Sequence, residues 1–164
     1  MQRIDKSITG RNIILGGAIF IVTLGVYIFT LCPTIYWEDS AAFCAVHSLL
    51  GIPHSPGFPV YVIWGRLFAT IPVFNSAFCS NLMSAFWGSM ALSLLFLSIL
   101  EILNQIKSSR SFSKLATIIS TLVFAFSTSF WLQAIRAEVY TLNIFFTILL
   151  TFLMIKWWQF KASN

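Results

Sequence analysis

Long apolar runs are the feature that most constrains how this chain can fold. Four segments carry them, at residues 12–31, 76–100, 115–135 and 139–158. A helix rises about 1.5 Å per residue, so about 20 apolar residues cross the roughly 30 Å hydrocarbon core of a bilayer. The composition agrees, because only 9% of the residues are charged, against about a quarter in a soluble domain. The sequence therefore predicts one all-α integral membrane domain, residues 1–164, with about four transmembrane helices.

The basic residues orient these spans in the bilayer. Arg66 and Arg136 fall on one side, and the other eight Lys and Arg residues fall on the opposite side. Those eight are Arg3, Lys6, Arg11, Lys107, Arg110, Lys114, Lys156 and Lys161. Because cytoplasmic loops are enriched in Lys and Arg, we expect a multi-pass protein with both termini in the cytoplasm. Residues 32–75 then face the extracytoplasmic side, periplasmic or luminal. The scattered charges form no basic face, so we expect no nucleic-acid partner.

The outward segment, residues 32–75, predicts surface helices and no further span. Residues 60–74 are apolar, but this run is short and has Arg66 near its middle. An interfacial helix tolerates such a residue, because a long basic side chain can reach the lipid headgroups. A separate helical pattern follows Asp39 and ends at a Gly-Ile-Pro sequence, which is typical of a helix stop. We expect interfacial helices between the first and second spans.

Two adjacent acids, Glu38 and Asp39, lie just after the first apolar run. The chain has only five acids among 164 residues, and acids at a membrane cost free energy and tend to mark a site. The simpler interpretation is structural, since Asp39 precedes a helix and can cap its free N–H groups. The functional interpretation is a general base towards a hydroxyl, or a ligand of a divalent cation. The residues alone leave both interpretations open.

The second outward turn holds Arg136 and Glu138 between the third and fourth spans, with almost no loop. The two residues can simply pair or mark the water boundary. Alternatively, the planar guanidinium suits an anionic group such as a lipid phosphate, and Glu138 would then help to position a sugar. The histidines of the first outward segment, His47 and His54, have structural interpretations too, in a helix and in a turn.

Three blocks of the sequence resemble a known family. They are "CPTIYWEDSAAF…LGIPHSPGFPVYVIWGRLF", "NLMSA" and "TSFWLQAIRAEVYTLN". In this order they resemble the amino-terminal part of the protein O-mannosyltransferase-like group of membrane glycosyltransferases, which have the GT-C fold. The resemblance runs from about Cys32 to Asn143. It implies transfer of a sugar, with mannose as the candidate, from a polyprenyl-phosphate donor to a hydroxyl of a protein or glycan acceptor on the extracytoplasmic side.

The resemblance also implies roles for individual residues. Asp39 matches the catalytic acid of the family, with Glu38 beside it. Substrate-binding roles follow for His54, Arg136, Glu138 and Tyr140. No cofactor is certain; if a divalent metal takes part, Asp39 and Glu38 are its candidate ligands.

Two departures from the family pattern shape what we expect of this chain. The family's Asp-Ser-Gly-Glu-Phe is Asp39-Ser40-Ala41-Ala42-Phe43 here, so Ala42 replaces a second carboxylate. Superfamily members also carry more spans than the four predicted here. We therefore expect a chain that is inactive alone, with its remaining spans on another chain if they are not part of it. The alternative is a non-catalytic membrane subunit or truncated family member. A transporter fragment would need charged or broken helices within the membrane, and the sequence indicates none.

Overall fold

The computed structural model describes residues 10–72, 74–105 and 110–163. These ranges contain seven helices and no strand. The helices are α1 (Gly10–Phe29), α2 (Ser40–Leu49), α3 (Pro59–Ala69), α4 (Ser76–Gln105), α5 (Arg110–Ala125), α6 (Thr128–Ala134) and α7 (Tyr140–Ser163). The predicted all-α class is confirmed.

Three of these helices, α1, α4 and α7, are long and apolar enough to cross a membrane. They match the first, second and fourth predicted spans. Their outer faces are rich in exposed apolar side chains such as Ile21, Leu150 and Met154, and lipid is a favourable environment for such surfaces. The chain is therefore a helical integral membrane protein.

The third predicted span, residues 115–135, is wrong as one continuous helix. α5 and α6 meet at 67°, so they count as a fourth span only if the bent pair crosses together. The break lies at Ser127, whose backbone is extended, with φ −64° and ψ 140°. Its hydroxyl donates to the carbonyl oxygen of Phe124 at 2.7 Å, which satisfies one acceptor at the end of α5. A broken helix is thus present, contrary to the expectation used against a transporter fragment.

α4 is the central helix, and small residues bring its neighbours close. Ser93 donates to the carbonyl oxygen of Gly16 on α1 at 2.9 Å. A Cβ on Gly16 would lie 3.2 Å from that Ser93 hydroxyl oxygen, and a Cβ on Gly88 would lie 3.4 Å from Ala134 and from Thr141. Small residues are typical of helix contacts in membranes, because they let backbones approach.

An ion pair joins α4 and α7 at the end of the bundle opposite to the acidic loops. The carboxylate of Glu101, which is 1% exposed, accepts bonds from Lys156 at 2.9 Å and from Gln159 at 3.0 Å. Because a buried acid needs such partners, these bonds help to fix the register of the two helices.

The two short helices predicted between the first and second spans are confirmed as α2 and α3. They pack on each other and on α4 through a cluster of aromatic side chains around His47 and Tyr61. The position of Arg66 relative to the lipid headgroups stays a prediction. The guanidinium of Arg66 donates to the carbonyl oxygen of Ser48, at the end of α2, where free carbonyl groups attract a cation.

Candidate functional site

Two loops meet at one end of the bundle. We call residues 30–39, between α1 and α2, the first site loop, and residues 135–139, between α6 and α7, the second site loop. The backbone N–H of Cys32 donates to the carbonyl oxygen of Ile135 at 3.0 Å, so the loops touch directly. All four acidic and basic residues that the sequence singled out in these loops are therefore gathered in one place.

Arg136 lies at the centre of this group. One of its terminal nitrogens bonds a carboxylate oxygen of Glu38 at 2.7 Å, and its Nε lies 3.8 Å from a carboxylate oxygen of Glu138. The guanidinium also lies over the ring of Tyr36, 5.4 Å from its centre. The Arg136 side chain is only 8% exposed, whereas that of Glu38 is 65% exposed. A buried cation thus faces one buried and one exposed acid.

Glu38 has an unusual backbone. Its φ is +63°, in the left-handed region that costs a non-glycine residue on the order of 1 kcal/mol. Residues held this way cluster at functional sites, where the surroundings enforce the conformation. The side chain of Glu38 is the one bonded to Arg136.

Asp39 stands at the cap position of α2, yet its side chain makes no cap hydrogen bond. Its carboxylate lies instead 3.6 Å from Nε2 of His54, and both side chains are about half exposed. The ring of His54 is held beside Phe43 and Phe58, at centroid distances of 5.7 Å and 5.8 Å. The structural interpretation of Asp39 as a side-chain cap is therefore not realised, and its carboxylate faces the open side of the site.

Glu138 is buried, with 2% of its surface exposed. Burial raises the pKa of its carboxyl to about 7, and the nearby charges of Asp39 and Glu38 also act to raise it, against the opposing effect of Arg136. Such a group exchanges protons near neutral pH, which suits a carboxyl that binds or protonates a substrate oxygen. Its Oε1 and the Nε of Arg136 are both buried, face each other at 3.8 Å and have no hydrogen-bond partner among the described residues.

Tyr140 lies apart from these ion pairs. It is half exposed and lines a groove of about 450 Å³ between the first turns of α3 and α7, with Tyr61, Asn143 and Phe146 among the other lining residues. This groove is mostly apolar and opens beside the second site loop. The structure thus brings together Glu38, Arg136 and Glu138, and it pairs Asp39 with His54, but it places Tyr140 in a neighbouring groove.

Sequence reasoning missed three residues that build the site. The first is Tyr36, whose ring lies under the guanidinium of Arg136. Asn81 and Ser84 lie in an apolar span, and both bond the backbone of the second site loop. The available signal was the block "NLMSA", which contains both residues, and the cost of placing an Asn in a membrane helix without partners.

His47 has a structural role in the described part of the chain. It is fully buried, its Nδ1 is bonded to the Ser80 hydroxyl at 3.0 Å, and its ring stacks on Phe43. Burial lowers the pKa of His47 to about 4, so the ring is neutral at ordinary pH. Within residues 10–72, 74–105 and 110–163, no three His, Cys, Asp or Glu residues are grouped to hold a metal ion.

The fold and the site together define a multi-helix membrane protein with carboxylates and a buried arginine gathered at one end of its bundle. Comparison with known protein families identifies the family to which this chain belongs. Residues 39–163 match the family model described as the amino-terminal domain of protein O-mannosyl-transferase TMEM260. The chain belongs to this family.

Two relatives carry the same description. The mouse (Mus musculus) protein O-mannosyl-transferase TMEM260 is 31% identical over 148 residues, which cover 90% of this chain and 20% of that protein. The Dictyostelium discoideum protein of the same name is 27% identical over 138 residues, covering 82% of this chain and 16% of that protein. The chain thus spans about a fifth or less of the length of these relatives. No solved structure matches it significantly.

Proposed function

We propose that this chain forms the acid-bearing part of a membrane mannosyltransferase. The donor is a polyprenyl-phosphate mannose, and the acceptor is a hydroxyl of a protein or glycan on the extracytoplasmic side. The observation that carries the proposal is the meeting of the two site loops. It puts the exposed carboxylate of Glu38 beside the buried guanidinium of Arg136, next in the chain to the exposed carboxylate of Asp39. The name of the relatives supports mannose transfer, and the apolar bundle suits a lipid-linked donor.

Asp39 is the general base of the proposed reaction. It accepts the proton of the acceptor hydroxyl while that oxygen forms a bond to the anomeric carbon of the sugar. The bond from this carbon to the phosphate oxygen breaks, and its electron pair stays on the lipid phosphate. This single displacement inverts the anomeric centre. The carboxylate of Asp39 is about half exposed and makes no cap hydrogen bond to α2, so it is available to accept that proton.

Arg136 binds the leaving phosphate. A guanidinium matches phosphate oxygens in geometry, and its burial strengthens the attraction. Glu38 holds Arg136 in place, and Glu138 and His54 border the sugar. A divalent cation remains a proposal; Glu38 and Asp39 are the carboxylates it would use, together with oxygens of the donor.

Tyr140 and its groove are proposed to receive the apolar part of the donor next to the phosphate. The groove has the mostly apolar lining that a lipid chain needs. The bundle of the described helices leaves α7 widely exposed, so the site needs further walls. We therefore expect residues 1–164 alone to be inactive, and we expect the remaining spans to complete the site.

A non-catalytic membrane subunit is the second candidate. Ala42 favours it, because this residue stands where the family pattern has a second carboxylate. Ala42 is exposed on the first turn of α2, and its neighbour Asp39 is retained. The catalytic and the non-catalytic candidate have the same fold, so a measurement of sugar transfer is needed to distinguish them.

The test is a transfer assay with the complete enzyme purified in lipid. Polyprenyl-phosphate mannose and a nucleotide-linked mannose are offered separately, each with labelled sugar, to an acceptor peptide containing Ser and Thr. We expect transfer from the lipid-linked donor alone. Transfer only from the nucleotide-linked donor would contradict the proposed donor class. No transfer from either donor would favour the non-catalytic subunit.

A further inference from the structure

Asn81 links the two site loops through a single side chain. It lies on α4 and is fully buried. Its Nδ2 donates to the carbonyl oxygens of Cys32 at 2.7 Å and of Thr34 at 2.9 Å. Its Oδ1 accepts a bond from the backbone N–H of Ala137 at 2.7 Å. Both N–H groups and the oxygen of the amide are therefore used, which is most of what an Asn side chain can offer.

These bonds attach the backbone of both site loops to α4, close in the chain to the central ion pair. Thr34 precedes Glu38 in the first site loop, and Ala137 directly follows Arg136 in the second. Ser84 adds to the hold on the second loop. Its hydroxyl oxygen accepts a bond from the Glu138 N–H at 3.2 Å, and the hydroxyl lies 3.4 Å from the Glu138 carbonyl oxygen. Residues three apart lie on the same face of a helix, so one face of α4 contacts both loops.

The partners of Asn81 distinguish it from an ordinary buried polar residue. Ser98, also buried on α4, donates only to Leu94 of its own helix, at 2.7 Å. All three bonds of Asn81 leave its helix, and all three reach backbone groups of the site loops. Removing the amide would leave the buried N–H of Ala137 without this partner, which is unfavourable, and would release the part-buried carbonyl groups of Cys32 and Thr34 from α4.

We propose that Asn81 is a positioning residue: its buried amide sets the register between the two site loops, and so the placement of Glu38 and Asp39 relative to Arg136 and Glu138. The inference rests on the proposed function for its catalytic consequence. The link between the loops is a separate physical claim, and it can be measured without any activity.

The first measurement is a distance between the loops in the complete protein in lipid. Spin labels are attached at Ile35 in the first site loop and at Leu132 on α6, the helix that leads directly into the second site loop; both residues are exposed. We expect one narrow distance distribution in the parent protein and in the matched control Ser98→Ala. In Asn81→Ala the distribution broadens. An unchanged distribution in Asn81→Ala would overturn the link.

The second measurement is steady-state transfer by the same variants. A displacement of about 1 Å at a reacting centre can cost about a hundredfold in rate, so we expect kcat of Asn81→Ala to fall by about tenfold to a hundredfold. The acceptor KM should change little, and Ser98→Ala should match the parent. A broadened distance distribution together with an unchanged kcat would overturn the positioning role.

Asn81→Asp supplies a second variant if Asn81→Ala does not reach the membrane. The new carboxylate still accepts the bond from Ala137 but cannot donate to Cys32 or Thr34. A protonated carboxyl can donate again, so the ratio of variant to parent kcat should rise as the pH falls. A ratio that does not depend on pH would overturn the proposal. If the parent shows no transfer with any donor, the proposed function fails, and the distance measurement still decides whether Asn81 links the loops.

Discussion

At Glu138, burial and charge oppose each other, and burial prevails. The residue lies 3.8 Å from the guanidinium of Arg136, a neighbour that by itself would keep a carboxylate ionised. Loss of hydration raises its pKa nevertheless, and the two exposed acids add to that effect. The sequence predicted that Arg136 and Glu138 would lie together, since they are neighbours in one turn. It did not predict the bond to Glu38, because 98 positions separate that residue from Arg136.

The raised pKa of Glu138 predicts a pH dependence of stability. Its folded pKa of about 7 lies above the ordinary 4.5, so between these values the folded chain binds more protons than the unfolded chain. The stabilisation is complete below about pH 4.5 and is lost as the pH rises through about 7. We expect the thermal unfolding midpoint of the protein in detergent to fall between about pH 5 and pH 8 relative to Glu138→Gln, in which the group cannot ionise. Parallel pH profiles for the two proteins would contradict this.

At the scale of elements, the packing of α2 on α3 depends on the absence of a side chain at Gly65. A Cβ there would lie 2.1 Å from the ring of His47, and that ring cannot easily move. It is bonded to Ser80 at 3.0 Å and lies 4.9 Å from the ring of Tyr61. The sequence predicted α2 from its helical pattern and its stop signal, and α3 from its short apolar run. It did not predict this contact, because a glycine within a helix gives no sign of its neighbour.

We expect Gly65→Ala to destabilise the protein by about 1–3 kcal/mol, the usual cost of overpacking. Gly25→Ala is the matched control, because a Cβ on Gly25 meets no atom of the described residues within 4 Å; it should be neutral or slightly stabilising. Unfolding free energies in detergent measure both. Adding His47→Ala to Gly65→Ala should recover part of the loss, since it removes the clashing ring. Equal stability of the two glycine variants would show that α3 does not pack this closely.

The break between α5 and α6 is a feature that the sequence did not predict. The residues around Ser127 are small and polar but few, so the apolar run looked continuous. The structure turns the chain there by 67°, and α6 then places Trp131 within 3.1 Å of the hydroxyl of Thr30 at the end of α1. Local composition contains no information about that tertiary contact. The contact between Trp131 and Thr30 helps to bring the second site loop to the first.

At the scale of the whole molecule, hydropathy predicted the number and order of the apolar segments, and the structure confirms three of them as long single helices. The same pattern could not reveal which residues join the loops. Asn81 is one polar residue in an apolar run, and its partners lie in segments that meet only after folding. Sidedness is still a prediction, since it depends on the distribution of Lys and Arg across the membrane.

Cysteine labelling tests that sidedness. The native cysteines, Cys32, Cys44 and Cys79, are free and are first replaced by Ser or Ala. Single cysteines are then placed at Ser55 and Ser111, which are both exposed. We expect a membrane-impermeant maleimide to label position 55 on the extracytoplasmic side, and to label position 111 only after permeabilisation. Labelling of both positions from the same side would contradict the topology.

The central claim is that the meeting of the two loops forms a catalytic site with Asp39 as its base. The most direct test is the transfer rate of Asp39→Asn in the complete enzyme, compared with Asp39→Glu. The Asp39 side chain makes no cap hydrogen bond and is about half exposed, and Asn has nearly the same shape, so the variant should insert and fold as the parent does. An amide cannot accept the proton, and loss of a general base typically costs about 10²–10⁴ in rate. We predict that Asp39→Asn reaches the membrane at the parent level and loses transfer by that factor, while Asp39→Glu keeps part of it. Near-parent turnover by Asp39→Asn would contradict the account.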